Sequence, residues 1–483
     1  MRHRIITFLV ILLVVASSPA QQAFTINDSA TVTMTQLIGT ELPLMVITTV
    51  GGEEPTCDYV TAPAGAWGKS ITNATKVPGR LQIYNGEATP AYDSGEYDNR
   101  SGGMTIKIRG NTSAYSDKKP YKIKLVSSAD LMFRDDPLML ERDWLLVSDG
   151  FLNTLSGHAL SRVVGMTWTP ASMYVNVVLN GNYRGIYLLI ESVKRSPGSR
   201  LDVSRSGMVC EGDAYWWNAD VYVKSILDSH YGYTFKYPDE DDITEADLQY
   251  FKTYLNAFEK SQSQADYADY IDLQSFARWC LAEDILGAWD SGGANRYYMR
   301  HNRQPESRMV MPCLWDFSSN ESMLGSWSRC HTEHFARLFD NNNPAFRLEY
   351  IKTWLSLCPT LQADAQAALD SFAESRQFKG LRNSAGLNEQ RWGTRLDFDE
   401  LLSKRKQWYG KRLPILARLI DGLRVRGDAN VDGTADIADV NSAINCMLGK
   451  AAWGENSAAC DINVDHVVDM TDVNIIINAM LGR

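Results

Sequence analysis

The end of the chain constrains folding most tightly, because one twelve-residue pattern occurs there twice. Asp428-Ala429-Asn430-Val431-Asp432-Gly433-Thr434-Ala435-Asp436-Ile437-Ala438-Asp439 puts oxygen side chains at positions 1, 3, 5, 9 and 12, with Gly at position 6. A loop of this kind wraps a hard cation such as calcium, the seventh residue adding its carbonyl and the glycine permitting the sharp turn. Thirty-three residues later, Asp461-Ile462-Asn463-Val464-Asp465-His466-Val467-Val468-Asp469-Met470-Thr471-Asp472 repeats it, with His466 at the sixth position. The expected calcium ligands are therefore Asp428, Asn430, Asp432, Thr434, Asp436 and Asp439, then Asp461, Asn463, Asp465, Val467, Asp469 and Asp472. Each loop runs into an apolar-periodic segment, Val440 to Leu448 and Val473 to Leu481, and both end in Met-Leu-Gly. A generic acidic tail would not repeat in register.

These loops also explain much of the charge. The whole chain of 483 residues has a net charge of −10, and from Asp428 to Arg483 there are nine acids and two bases. That balance argues against a general nucleic-acid binder. With 45% apolar residues the remainder can bury a large core. The start differs again: Met1-Arg2-His3-Arg4, an apolar run from Ile5 to Val15 and small residues to Ala20 read as a secretory signal peptide over 1–20. The run is too short for a comfortable membrane span. The eight cysteines permit disulfides in a secreted chain, and no CxxC spacing suggests zinc. Cys446 and Cys460 are placed to bridge the two calcium-loop copies.

Two acidic segments stand out in the middle. Trp289-Asp290-Ser291-Gly292-Gly293-Ala294-Asn295-Arg296-Tyr297-Tyr298 supplies an Asp and, five positions on, an Asn. Leu314-Trp315-Asp316-Phe317-Ser318 supplies a second Asp. Phosphoryl transfer needs a carboxylate for the attacking hydroxyl, and a carboxamide and another carboxylate for magnesium. By itself the Asp-x4-Asn spacing is common, and Asp before Gly-Gly is ordinary turn chemistry. Its flanks sharpen it: Leu273 to Leu286 is a predicted helix feeding the Asp290 loop, and Arg296 to Arg300 and Met309 to Leu314 are predicted strands.

Upstream, Gln21 to Gly103 reads as β-rich, with strands at Leu42 to Thr49 and Gly79 to Tyr84 and no evident chemistry. Met104 to Ser113 and Lys118 to Leu125 form a predicted hairpin carrying Arg109, Lys118, Lys119, Lys122 and Lys124. Such cations suit nucleotide phosphates, although exposed lysines on a strand are commonly just solvated. Ser172 to Glu191 is a second hairpin about Asn180-Gly181, a two-residue turn signal. Helices are expected at Asn153 to Gly165, Thr244 to Gln262, Ala345 to Ser356, Leu361 to Glu374 and Phe398 to Gly422. A sheet-rich half followed by a helical half makes an α+β chain.

Five of these blocks together resemble the spore coat protein CotH family of atypical kinases, from about Leu42 to Leu419. They are Ile108-Arg109-Gly110-Asn111-Thr112-Ser113, Lys118 to Leu125, Leu179 to Glu191, Trp289 to Tyr298, and Trp315-Asp316. The resemblance implies a two-lobed protein-kinase-like fold with ATP between the lobes. It implies that Asp290 is catalytic, that Asn295 and Asp316 bind magnesium, and that Arg109 and a lysine, Lys119 or Lys122, meet the phosphates. Glu191 would lie where the sheet meets the adenine-contacting connection. The chain departs from the family at Ser318, where a second acid is usual, at Asn153-Thr154, which lacks an Arg-Asn pair, and at Ala294, often a His. The tail resembles a small all-α type I dockerin. That resemblance implies calcium-dependent docking on a scaffoldin cohesin, with contacts at Ala438, Asn441 and Ser442 and at Thr471, Asn474 and Ile475.

The expected organisation is a signal peptide (1–20), a β-rich region (21–103), a CotH kinase-like domain (104–424) and a dockerin (425–483). The expected function is transfer of the ATP γ-phosphate to protein Ser/Thr hydroxyls by a secreted cellulosome component, with no nucleic-acid partner and no membrane association after signal removal. The alternatives are a catalytically inactive structural or polysaccharide-binding module, and a glycoside hydrolase with Asp290 and Asp316 as its facing carboxylates.

Overall fold

A computed structural model describes residues 22–148, 152–290, 294–317, 321–450, 457–463, 465 and 467–482. The expected signal peptide, Ser291, Gly292, Gly293, Ser318, Val464 and His466 lie outside the described residues. The chain is mixed α+β, with a β-rich N-terminal region and a helical C-terminal part.

The strands in order are β1 (Ala23–Asn27), β2 (Ala30–Thr33), β3 (Leu44–Thr49), β4 (Asp58–Thr61), β5 (Lys69–Thr72), β6 (Val77–Tyr84), β7 (Tyr92–Asp93), β8 (Met104–Ile108), β9 (Tyr121–Ala129), β10 (Glu141–Val147), β11 (Ser172–Leu179) and β12 (Asn182–Glu191). Seven of them close on themselves in the order β3-β6-β8-β9-β10-β12-β11, because β10 pairs with both β9 and β12 and β3 pairs with β11. Strict alternation drives the closure. Met45, Ile47, Leu81, Ile83, Ile106, Ile123, Trp144, Leu146, Val177, Tyr187 and Leu189 point inward and are buried together. Their neighbours in sequence, such as Lys107 and Lys122, face outward on the β8–β9 pair. A closed sheet has no exposed edge and places every inward side chain against others. Strands from both sides of Gly103 share this one sheet, since β6 pairs with β8. The Asn180-Gly181 turn joins β11 and β12 as expected, with both residues at positive φ.

A second sheet holds β13 (Met208–Asp213), β14 (Tyr222–Lys224), β15 (Gly232–Tyr237), β16 (Arg296–Arg300) and β17 (Met309–Val310), ordered β14-β15-β13-β16-β17. The helices are α1 (Met34–Gly39), α2 (Asn153–Val163), α3 (Glu245–Ser261), α4 (Leu273–Leu286), α5 (Ala336–Asp340), α6 (Ala345–Ala373), α7 (Arg376–Trp392), α8 (Phe398–Asp421), α9 (Ile437–Met447), α10 (Ser457–Cys460) and α11 (Met470–Met480). Helix α4 is buried along nearly its whole length, among side chains of α6, α8 and the second sheet.

Two expected helices, Ala345 to Ser356 and Leu361 to Glu374, are one: α6 runs unbroken through Pro359. A proline removes the N–H that would reach the carbonyl four residues back. Here that carbonyl, of Leu355, accepts the Cys358 thiol at 3.7 Å instead. Helix α7 was not expected at all. Its contacts with the barrel are largely polar: Ser384 meets Asn176 at 3.0 Å, Asn388 Oδ1 accepts the Ile186 N–H at 3.1 Å, and Gln377 accepts the Tyr174 N–H at 2.6 Å. The two tail helices start three residues earlier than expected, because Asp436 and Asp469 cap them in reciprocal capping boxes. Cys446 and Cys460 lie side by side in the tail's small core as free thiols.

Candidate functional site

A cleft of about 690 Å3 lies between the outer face of β8–β9 and the second sheet. Asp290 and Asn295 reach it from the segment between α4 and β16, and Asp316 from the segment after β17. The C-terminus of α4 is clamped so as to aim this segment. Gly287 ends the helix at φ 61°. Trp408 Nε1 donates to the Ile285 carbonyl at 2.9 Å. The fully buried Arg412 guanidinium donates to the Asp284 carbonyl at 2.9 and 2.6 Å, and to Met323 and Leu324 carbonyls at 2.9 and 2.6 Å. The Asp284 carboxylate takes hydrogen bonds from Ser328, His331 and Tyr350. Burial alone would raise its pKa; the His331, Tyr350 and Ser328 partners outweigh burial and hold it low.

Asn295 and Asp316 both sit in the left-handed region, at φ 67° and 55°. Asn and Asp are the non-glycine residues that enter this region most readily, and it turns the chain sharply at both points. The Asn295 N–H donates to Glu211 Oε1 at 3.3 Å. The Phe317 ring, next to Asp316, lies flat on α2: a Cβ on Gly157 would come within 2.1 to 2.3 Å of three of its ring carbons. The buried His158 ring meets Phe317 edge-on at 5.5 Å. Burial raises the Asp290 pKa, and Arg329 and Arg296 work against the rise.

The cleft is electrically divided. Its barrel wall carries Lys107, Arg109 and Lys122, and the Gly110-Asn111-Thr112-Ser113 turn. Lys107 has its pKa lowered, by burial first and then by Lys122 and Lys76, with Asp143 and Glu240 working against the fall. Lys122 also pairs with Asp143 at 3.0 Å. The facing wall carries Glu211, Asp213, Asp290 and Asp316. Asp213 is pushed up to about 6 by burial and by Glu211. Lys236 pairs with Glu211 at 2.9 Å; burial would lower its pKa, and Glu211 and Asp213 raise it instead.

Five expected residues thus line one cleft: Arg109, Lys122, Asp290, Asn295 and Asp316. Lys119 and Glu191 are elsewhere. Lys119 Nζ donates to the Tyr59 hydroxyl at 2.6 Å and the Ala114 carbonyl at 2.9 Å. Buried Glu191 pairs with Arg134 at 2.8 Å and accepts the Ala171 N–H at 2.9 Å. Lys118 is likewise engaged, with the Ile186 carbonyl at 2.5 Å. Sequence reasoning missed Glu211, Asp213 and Lys236. Their signal was available: Glu211 and Asp213 are two apart in β13, and Glu211 pairs in register with Thr234, two before Lys236 in β15, so all share a face. It also read no chemistry in 21–103, yet Ser70 to Ala74, from the β4–β5 hairpin, line the cleft. Ser70 Oγ donates to Asn111 Oδ1 at 2.6 Å, and Asn218 Nδ2 donates to Ser70 Oγ at 2.9 Å.

The described residues of the two tail loops make matching hydrogen bonds. Asp428 Oδ1 accepts the Asp432 N–H and Asp461 Oδ1 the Asp465 N–H, both at 3.0 Å. Asp439 Oδ1 takes the Ala429 and Asn430 N–H groups, and Asp472 Oδ1 those of Ile462 and Asn463. Asp439 and Asp472 are fully buried. Burial raises the Asp428 pKa, and neighbouring Asp439 and Asp432 add to it against two backbone hydrogen bonds. Carboxylates crowded in this way fit a divalent cation with hard oxygen ligands. Of the expected docking residues, Ala438, Asn441, Thr471 and Asn474 are exposed and Ser442 and Ile475 half-buried.

Comparison with known families gives two matches. The family described as CotH kinase protein matches residues 106–413, well over half of the chain. The family described as Dockerin type I domain matches residues 426–481. No curated protein matches the chain significantly. No helix among the described residues is long and apolar enough to cross a membrane.

Proposed function

This chain belongs to the CotH kinase protein family and ends in a type I dockerin domain, and from that membership we propose that its cleft transfers the γ-phosphoryl group of ATP to a Ser or Thr hydroxyl of a protein. Dockerin domains bind calcium, and a type I dockerin implies a cohesin partner and points to an extracellular cellulosome. We propose further that this dockerin tethers the catalytic domain to a scaffoldin in a calcium-dependent way, and that residues 1–20 direct secretion. The barrel and the second sheet with its helices would act as the two lobes of a kinase-like arrangement.

The observation that carries the reading is the divided cleft. A nucleoside triphosphate is a polyanion that binds with divalent metal, so it needs cations on one side and carboxylates on the other. Lys107, Arg109 and Lys122 offer the first; Asp290 and Asp316 offer the second, with Asn295 between them in sequence. The volume of about 690 Å3 is in the range of small-molecule sites. Asn295 and Asp316 would hold magnesium, which when bound screens the charge developing on the transferred group. Asp290 would accept the proton of the attacking hydroxyl. Its raised pKa makes it a better base than a free carboxylate. Arg109 and Lys122 would orient the phosphates, and burial by the β4–β5 hairpin would exclude water.

The test is magnesium-dependent transfer from γ-labelled ATP with the full chain, Asp290→Asn and Asp316→Asn. Label should pass to the chain or to an added protein acceptor, and fall at least about 10²-fold in Asp290→Asn. ATP raising the melting temperature without transfer would identify an inactive nucleotide-binding relative. Neither transfer nor an ATP-dependent shift would refute the reading.

A further inference from the structure

The dockerin does not hang from a flexible tether. Only six residues separate the end of α8 at Asp421 from the first loop at Asp428, and successive turns bind them: Leu423 N–H to Ile420, Arg424 N–H to Asp421, and Asp428 N–H to Val425, at 2.9, 3.0 and 3.1 Å. Arg424 then fastens three pieces. Its Nη2 donates to the Ala459 carbonyl of α10 at 2.7 Å and to the Asp428 carbonyl at 3.3 Å, while Nη1 lies 3.7 Å from Asp421 at the end of α8.

Beyond the junction, the first loop itself meets the catalytic domain. Val431, at the fourth position of the loop, is 4% exposed and joins the hydrophobic core built by α4, α6 and α8. Ala459 of α10 is buried in the same core. A Cβ on Gly433 would stand 3.5 Å from Leu348 of α6. Lys352, one turn further along α6, acts on the Asp432 carboxylate. Val431 achieves this only in a left-handed conformation, at φ 54°. For a β-branched residue that conformation is a strained outlier, so something must hold it.

We infer that the first calcium loop is an interdomain joint, in which the ion bound by residues 428–439 holds Val431 in its seat against α6 and so fixes the dockerin on the catalytic domain. The inference rests on the calcium reading of the dockerin. Val431 lies between two expected ligands, Asn430 and Asp432, so an ion engaging both sets the backbone of the residue between them. Without the ion, the strained Val431 conformation loses its restraint and the Leu348–Lys352 face of α6 loses its cover. A catalytic domain fixed in this manner would be presented to a scaffold-borne substrate in one orientation.

Hydrogen exchange on the full chain tests this. Calcium binding is first measured by titration calorimetry on the chelator-treated protein. Removing calcium should then speed amide exchange in residues 345–356 of α6 by about tenfold or more, as local opening becomes easier. Asp432→Ala should produce the same change with calcium present. Leu348→Asn alters the seat from the catalytic side and leaves every loop ligand in place. It should still bind calcium, while its α6 exchange becomes insensitive to chelation. Equal α6 exchange with and without calcium in the unaltered chain would overturn the inference even if both ions bind. So would a Leu348→Asn protein whose α6 still responds in full. Absence of any calcium heat would instead overturn the metal reading and the joint with it.

Discussion

Placing alanine at position 157 tests how Asp316 is held. Gly157 lies inside α2, where alanine normally gains about 1 kcal/mol over glycine. Here the new Cβ would stand 2.1 Å from Phe317, against an ordinary carbon–carbon separation of about 3.5 Å or more. The ring must therefore retreat by roughly 1.4 Å, and the edge-on His158 ring limits where it can go. Overpacking of this kind costs about 1–3 kcal/mol, so the net effect of Gly157→Ala is between zero and about 2 kcal/mol of destabilisation. Phe317→Ala empties the space, and in that background Gly157→Ala should stabilise by its full helix increment. Urea unfolding of the four proteins in a double-mutant cycle should give a coupling of about 1–3 kcal/mol. Moving the ring also moves its neighbour Asp316, and displacements near 1 Å at a reacting centre cost on the order of 10²-fold in rate. Gly157→Ala should therefore lose far more phosphoryl transfer than stability. If alanine has the same effect on stability with and without the Phe317 ring, the packing argument is refuted.

Two other outcomes follow from buried charges. Burial, and then Arg162, push His158 down to about 3, well below its free value of about 6.5. The folded state thus disfavours its protonation, so stability is full above pH 6.5 and drains as pH falls toward 3. At pH 5 the loss from this residue approaches 2 kcal/mol, about 1.4 per pH unit. Unfolding in urea at pH 7.5 and 5 should show that loss in the unaltered chain and a smaller one in His158→Gln; equal losses would contradict the assignment. Glu211→Gln removes the charge that pairs with Lys236 and weakens the acceptor for the Asn295 N–H. It should cost roughly 1–3 kcal/mol of stability and weaken magnesium-dependent ATP binding, both read by thermal shift; an unchanged shift would place Glu211 outside the site.

The parts of this fold legible in sequence are those with strong local chemistry. The Asn180-Gly181 hairpin, the capped α3 and the first calcium-type loop all form where the residues dictate. Barrel closure was not legible, because β10 pairs with β9 and β12 through register across distant sequence, and nothing local announces the second pairing. Pro359 misled because its lost hydrogen bond is answered by Cys358, a compensation visible only in three dimensions. Helix α7 escaped because Ser384 and Asn388 are buried as hydrogen-bonding partners of the barrel, so its apolar stripe is weak. At the cleft, Asp290, Asn295 and Asp316 stood out by their spacing together with the helix and strands that flank them, and alternation alone sends Lys122 to the outer face of β9. Lys119 could not be separated from Lys122 by composition; it precedes the strand and turns toward Tyr59. Glu211 and Asp213 were hidden in a stretch of mixed character, although β13 and β15 set Glu211 opposite Thr234 and Asp213 opposite Gly232, with Lys236 two residues beyond Thr234 on the same face.

The same geometry weighs the rival readings of the domain. A polysaccharide-binding surface needs exposed aromatic faces on which sugar rings can stack. Among the described residues, Trp67 and Trp289 are the tryptophans with large exposure, at 51% and 43%. Both are already in use: Trp67 lies 5.9 Å from the Tyr215 ring and accepts the Trp217 Nε1–H through its carbonyl, and the Arg329 guanidinium lies 5.0 Å over Trp289. Trp144, Trp279, Trp315, Trp354 and Trp408 are buried as core. A glycoside hydrolase needs two facing carboxylates, and the cleft holds more than two. That chemistry gives no role, however, to a barrel wall bearing Lys107, Arg109 and Lys122, where repulsion from Lys122 and Lys76 adds to burial in depressing the Lys107 pKa. A neutral sugar would leave that repulsion standing. A polyphosphate would relieve it, and its metal ions would at the same time relieve the carboxylates opposite. Both halves of the cleft are then satisfied by one ligand, and that joint requirement is what favours a nucleotide over a glycan.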